Sequence, residues 1–130
     1  MLQYVIPALL AGHGLAHISG FIASFTSRDM DYRLEKTWIL PGRVYLNRNT
    51  GRIFGLLWLI AAFILILSAA LLVTHVAVWP ALALTGAIVS LAVIVPFWQT
   101  VPSGARIGAV FDLIILLALT GWHHRILDMV

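Results

Sequence analysis

His13 and His17 stand four residues apart inside one long apolar run, and Asp112 is the one acidic residue inside another. An ionisable group at membrane depth costs several kcal/mol, so a chain that keeps one there keeps it for a partner or for a function. Imidazole titrates near neutrality and ligates metals. A carboxyl beside it can hold its tautomer, exchange a proton with it or complete a metal site.

Three kinds of chemistry fit this set. His-x-x-x-His on a helix puts both rings on one face, and with Asp112 it forms a two-His-one-carboxylate set able to hold a divalent metal such as zinc, iron or copper. No Glu follows His13, so the zinc-protease motif is missing. Haem is disfavoured, because two imidazoles on one face of one helix cannot be opposite axial ligands. In proton-transfer chemistry His13, His17 and Asp112 are the candidate catalytic residues, acting on a lipophilic substrate or in a transporter. The bland alternative is a structural contact in which the histidines and Asp112 only satisfy one another.

The elements that must position these residues follow from composition. Of 130 residues 62% are hydrophobic and 10% are charged, and mean hydropathy is +1.01, which places the chain in a lipid bilayer. Four apolar stretches, at about 4–25, 53–73, 78–98 and 103–122, predict four transmembrane helices in a single domain spanning 1–130. The links at 74–77 and 99–102 are short, so the fold class expected is an all-α, up-down-up-down four-helix membrane bundle. With no cysteine, thiolate ligands and disulfides are excluded. No Lys or Arg precedes the first run, which reads as a retained helix rather than a signal peptide.

Seven of the eight basic residues lie in or beside the 26–50 connection and at Arg106, and Arg125 alone falls on the other side. The positive-inside rule then puts the 26–50 loop in the cytoplasm and both termini outside. Anionic headgroups account for the basic loop, and nucleic acid is not expected as a partner. Within the loop a short amphipathic helix is expected, anchored by Tyr32, Trp38 and Tyr45. Asn49 or Thr50 should cap the second helix, Ser103 the fourth, and Pro96 should bend or end the third. Tyr4, Trp79, Trp98 and Trp122 are expected in the interfacial belts, and Trp58 as a belt or packing aromatic.

On a helical wheel His13, His17, Gly20 and Ser24 form one stripe backed by Leu15, Ile18, Ile22 and Phe25, which turns both histidines into the bundle. Gly12, Ala16 and Gly20 should permit close helix approach beside it. Asp112 shares a stripe with Gly108, Ile115, Leu119 and His123. At ~1.5 Å per residue His17 lies about 20 Å from one face and Asp112 about 14 Å from the other, so the depths nearly coincide and Asp112 should meet His17 or His13. His75, His123, His124 and Arg125 gather at the outer mouth.

The run His13-Gly14-Leu15-Ala16-His17 with Gly20-Phe21, and Gly55-Leu56-Leu57-Trp58-Leu59 after Arg52, resembles a group of small four-helix bacterial membrane proteins with an N-terminal HGxxH and a GLLWL second helix. Asp112-Leu113-Ile114-Ile115-Leu116 is similar to their fourth helix, where an amide often replaces the acid. No activity is established for that group. The resemblance implies a bacterial inner-membrane location and the four-helix topology, and it implies that a carboxyl at 112 is not obligatory. The function expected is binding of a small lipophilic molecule or a metal at His13, His17 and Asp112. The alternatives are a small proton- or ion-coupled transporter, and an accessory subunit of a larger membrane complex that docks through the small-residue stripe and the basic loop and whose His-Asp contact is structural. The partners expected are the lipid bilayer and either further copies of the chain or a larger complex.

Overall fold

A computed structural model describes residues 2–26, 32, 37–39 and 48–121. Four α-helices follow in order: α1 (Leu2–Phe25), α2 (Arg48–Val73), α3 (Trp79–Ile94) and α4 (Ser103–Gly121), with a 3-10 turn over Val95–Phe97 prolonging α3. All four are long and apolar enough to cross a membrane, over Tyr4–Phe25, Gly51–Val73, Trp79–Phe97 and Ser103–Gly121. This is the helical bundle that the hydropathy pattern predicts. Its outer surface carries Leu15, Ile22, Phe63, Ile107 and Leu117 exposed, a face suited to acyl chains and not to water.

The helices pack in chain order, α1 on α2, α2 on α3 and α3 on α4, whereas the backbones of α1 and α4 make little close approach. Two apolar layers result. Leu10, Leu65, Leu72, Trp79, Ala83 and Ile115 belong to one, and Trp58, Val93, Ile94, Phe97, Val101 and Ala109 to the other. Along α3 and α4 the positions between these layers are Ser90 and Asp112, both fully buried. The polar groups are therefore enclosed above and below by hydrocarbon.

Local chemistry explains most helix ends. Pro80 sits in the first turn of α3, where its missing N–H is no loss. Pro96 ends the α-helical part of α3 at Ile94, as expected, and the last carbonyls need other donors. The 37–39 segment supplies them: the Thr37 hydroxyl donates to the Pro96 carbonyl at 2.6 Å, the Trp38 backbone N–H donates to the same oxygen at 3.2 Å, and the Trp38 indole donates to the Val95 carbonyl. At the end of α2, His75 adopts φ 54° while its N–H donates to Leu72 and that of Val76 donates to Leu71. That is a Schellman closure with histidine in glycine's usual place. His75 has a structural role there, exposed and away from the buried pair.

Several expectations are corrected. α2 starts at Arg48, so Asn49 and Thr50 lie inside it rather than before it; of the two places expected for Trp58, belt or packing, it takes the packed one. Trp79 is in the core instead of the belt, where its carbonyl accepts the Ser68 hydroxyl at 2.8 Å. α4 opens at Ser103 on the Pro102 carbonyl, which accepts the N–H groups of Ala105 and Arg106. Tyr32 turns into the bundle against Trp58 rather than anchoring at an interface. Tyr45, Trp122, His123, His124, Arg125 and most of the expected amphipathic loop helix lie outside the described residues.

The small-residue stripe splits in two. Gly20 admits the Trp58 indole, since a Cβ there would lie 2.3 Å from that ring. Among the described residues nothing lies within 4 Å of the Gly12 Cβ position, and Ala16 is exposed. Only the Gly20 side of the stripe is a close helix contact. Gly20→Ala should therefore destabilise the protein by about 1–3 kcal/mol, and Gly12→Ala should be neutral within about 0.5 kcal/mol, as read by unfolding in detergent.

Candidate functional site

α1 contributes two imidazoles one turn apart, because residues i and i+4 share a helix face. His17 is buried and the His13 side chain is 7% exposed, and the rings meet edge to face with centroids 4.6 Å apart. α4 contributes Asp112, fully buried, from a stripe shared with Ala105, Ala109, Ile115 and Leu119. α3 contributes Ser90, also fully buried.

These four side chains form one hydrogen-bonded chain across three helices. His13 Nε2 meets Asp112 Oδ1 at 2.7 Å, the other carboxyl oxygen is bonded to the Ser90 hydroxyl, and Ser90 Oγ lies 2.6 Å from His17 Nε2. His17 Nδ1 donates to the His13 carbonyl at 2.9 Å. The expected contact with Asp112 is thus made directly by His13, and by His17 only through Ser90. The sequence pattern does not single out Ser90. It sits at mid-depth among small residues of α3 with Ala83, Gly86 and Ala87, and screening α3 for a polar group level with Asp112 is the signal that would have found it.

Counting hydrogens constrains the chemistry. A carbonyl can only accept, so His17 Nδ1 carries a proton, and Ser90 has a single hydrogen for two neighbours. If Ser90 donates to Asp112, then His17 Nε2 must donate to Ser90 and the ring is an imidazolium facing a carboxylate. If Ser90 donates to His17, the acid itself is protonated and donates to Ser90. Both arrangements contain one proton more than two neutral imidazoles and a carboxylate, and both have no net charge. Electroneutrality is the condition under which such a set is tolerable in hydrocarbon. The two arrangements differ only by moving hydrogens along His17–Ser90–Asp112, which is the elementary step of a proton relay.

The gap between α1 and α4 is a cleft of about 650 Å³ leading to this chain. Its walls include Gly12 and Ala16 of α1, Gly104 and Gly108 of α4, and Tyr32 and Trp58, and both histidines line it. His13 turns Nε2 to Asp112 and its Cε1–Nδ1 edge to Gly108, where an added Cβ would lie 3.1 Å from Cε1. His17 packs on Trp58, with centroids 5.2 Å apart. Tyr32 closes the far wall with its hydroxyl 2.9 Å from Ser19 Oγ, and burial raises its phenol above the ordinary range, the Ser19 hydrogen bond partly opposing.

His13, His17 and Asp112 are also the buried group whose ligand atoms lie within 4.8 Å of one another. The donor types suit a divalent metal. Ser90 lies between two of the three, so an ion there would replace the hydrogen bonds just described. In comparison with known proteins, the chain matches no family model, no curated protein and no solved structure.

The chain of hydrogen bonds makes a specific forecast for position 112. An asparagine can accept from His13 Nε2 and donate to Ser90, which then donates to neutral His17, so every contact survives without the extra proton. Asp112→Asn should cost less than about 1 kcal/mol, whereas Asp112→Ala should cost about 3–5 kcal/mol by stranding His13 and Ser90, as measured by thermal unfolding in one detergent.

Proposed function

We propose that this protein binds a small lipophilic molecule in the cleft between α1 and α4, with the polar end of that molecule at His13 and the hydrogen-bonded chain behind it exchanging a proton with it. The observation that carries this reading is the coincidence of an apolar cleft, walled by two helices that do not close on each other, with buried imidazoles at its inner end. Clefts of a few hundred Å³ with apolar walls and a few convergent polar groups are the usual form of small-molecule sites. A cleft opening between two membrane helices is reached from the acyl-chain region, which favours a lipid-soluble ligand.

The polar chain supplies acid–base capacity without net charge. His13 presents an imidazole edge at Gly108, and Asp112 and Ser90 connect that imidazole to the proton counted above. In this reading His13 is the group that touches the ligand, and Asp112, Ser90 and His17 set its protonation. The resemblance favours a bacterial inner-membrane protein, and the basic connection favours that loop in the cytoplasm with both termini outside.

A second reading has its own observation, the three ligand atoms within 4.8 Å. There His13, His17 and Asp112 hold a divalent cation and the cleft admits its substrate. One variant separates the two. Gly12 lines the cleft with open space around it, so Gly12→Leu fills the cleft and leaves helix packing intact. Mass spectrometry of an organic extract of the purified protein should find a lipophilic compound near one per chain, lost in Gly12→Leu. Identical extracts contradict the first reading, and stoichiometric metal in both proteins by elemental analysis supports the second.

A further inference from the structure

Trp58 is held on three sides. Its ring packs on His17, meets Tyr32 edge-on with centroids 5.4 Å apart, and fills the room left by Gly20. It is 2% exposed, and its indole Nε1–H is buried without a hydrogen-bond partner among the described residues. An unpaired buried donor is costly, and in hydrocarbon there is no water to satisfy it. Arg52 and Arg106 also leave Nε unpaired, but each guanidinium has further N–H groups, and one on Arg106 donates to the Val101 carbonyl. Tryptophan has one donor only. Phenylalanine would provide most of the packing without the unpaired group.

The polar hydrogens of the other cleft residues are already committed. Ser19 donates to the Ala16 carbonyl, so the Tyr32 hydroxyl donates to Ser19. Both nitrogens of His17 are engaged, and His13 Nε2 faces Asp112. That leaves the Trp58 N–H as the uncommitted donor of a residue lining the cleft. No Lys or Arg is among the described lining residues, so the acceptor it fits is neutral rather than an anion.

We propose that Trp58 is a specificity-determining residue that donates its indole N–H to a carbonyl oxygen of the bound molecule, which makes the ligand class a lipophilic ketone or similar neutral carbonyl compound. The inference rests on the cleft-binding reading above. It assigns the acceptor to Trp58, on α2, and the proton-exchanging end to His13, on α1. A ligand spanning both is discriminated by its oxygen as well as by its apolar body.

The probes are benzophenone, which has a carbonyl and is a photolabel, and diphenylmethane, which has nearly the same shape and no acceptor. Full-length protein in detergent is irradiated with benzophenone, with diphenylmethane as competitor, and the labelled residues are mapped. The indole N–H resonances are followed by nitrogen–proton NMR, with Trp58→Phe assigning the Trp58 peak. We expect labelling on cleft residues such as Leu9, Leu15 and Ile107, a downfield shift of the Trp58 resonance with benzophenone alone, and a preference for benzophenone of about fivefold that falls to about one in Trp58→Phe. Partitioning into detergent cancels in that comparison. Cleft labelling with equal affinities in both proteins and an unmoved Trp58 resonance overturns the role of Trp58 and leaves cleft binding standing. Exclusion of both compounds from the cleft overturns both readings.

Discussion

Hydrocarbon offers no hydrogen bonds, so a polar group buried in this bundle is costly unless it finds its partner in another side chain, in the backbone or in a bound molecule. The arrangement of α1, α3 and α4 follows from that constraint. His13, Asp112, Ser90 and His17 satisfy one another in sequence, and the His13 carbonyl closes the chain at His17. Apolar packing fixes the neighbouring pairs of helices. The backbones of α1 and α4 do not come close, and the two helices are joined by the His13–Asp112 bond and by the Phe111 ring against His13.

That division gives the cleft its form. Two helices joined by a polar bridge and lined with Gly12, Gly104 and Gly108 cannot fill the space between them, and the opening ends at the bridge itself. The same bridge supports the fold and presents the chemistry. The count of one shared proton ties the two roles together, since the chain is neutral and fully bonded only with that proton present. An amide at 112 preserves the bonds and removes the proton, so substitution there separates support from acid–base capacity.

Much of this was legible in the sequence because its signals are periodic. Apolar runs marked the four helices, the i, i+4 spacing turned His13 and His17 to one face, and helix rise placed Asp112 level with them. What escaped was aperiodic or relational. Ser90 is a single hydroxyl among small residues, and its importance exists only once α3 is packed beside α4. Gly12 and Ala16 belong to a pattern that ordinarily means close contact, yet here they border a gap, because which small residues meet a neighbour depends on helix rotation by a fraction of a turn. Thr37 and Trp38 cap the end of α3 from far away in sequence, so nothing local to Pro96 announces them.

The His13–Asp112 bond joins α1 to α4 across the cleft's inner end. A double-mutant cycle on unfolding in detergent, with His13→Phe, Asp112→Leu and the pair, tests it most directly. Strong coupling is expected, with the double variant about 2 kcal/mol or more better than the sum of the single losses, because each single change strands the other group and the pair strands neither member of the bond. Additive losses would mean that the two groups do not meet, and would contradict it.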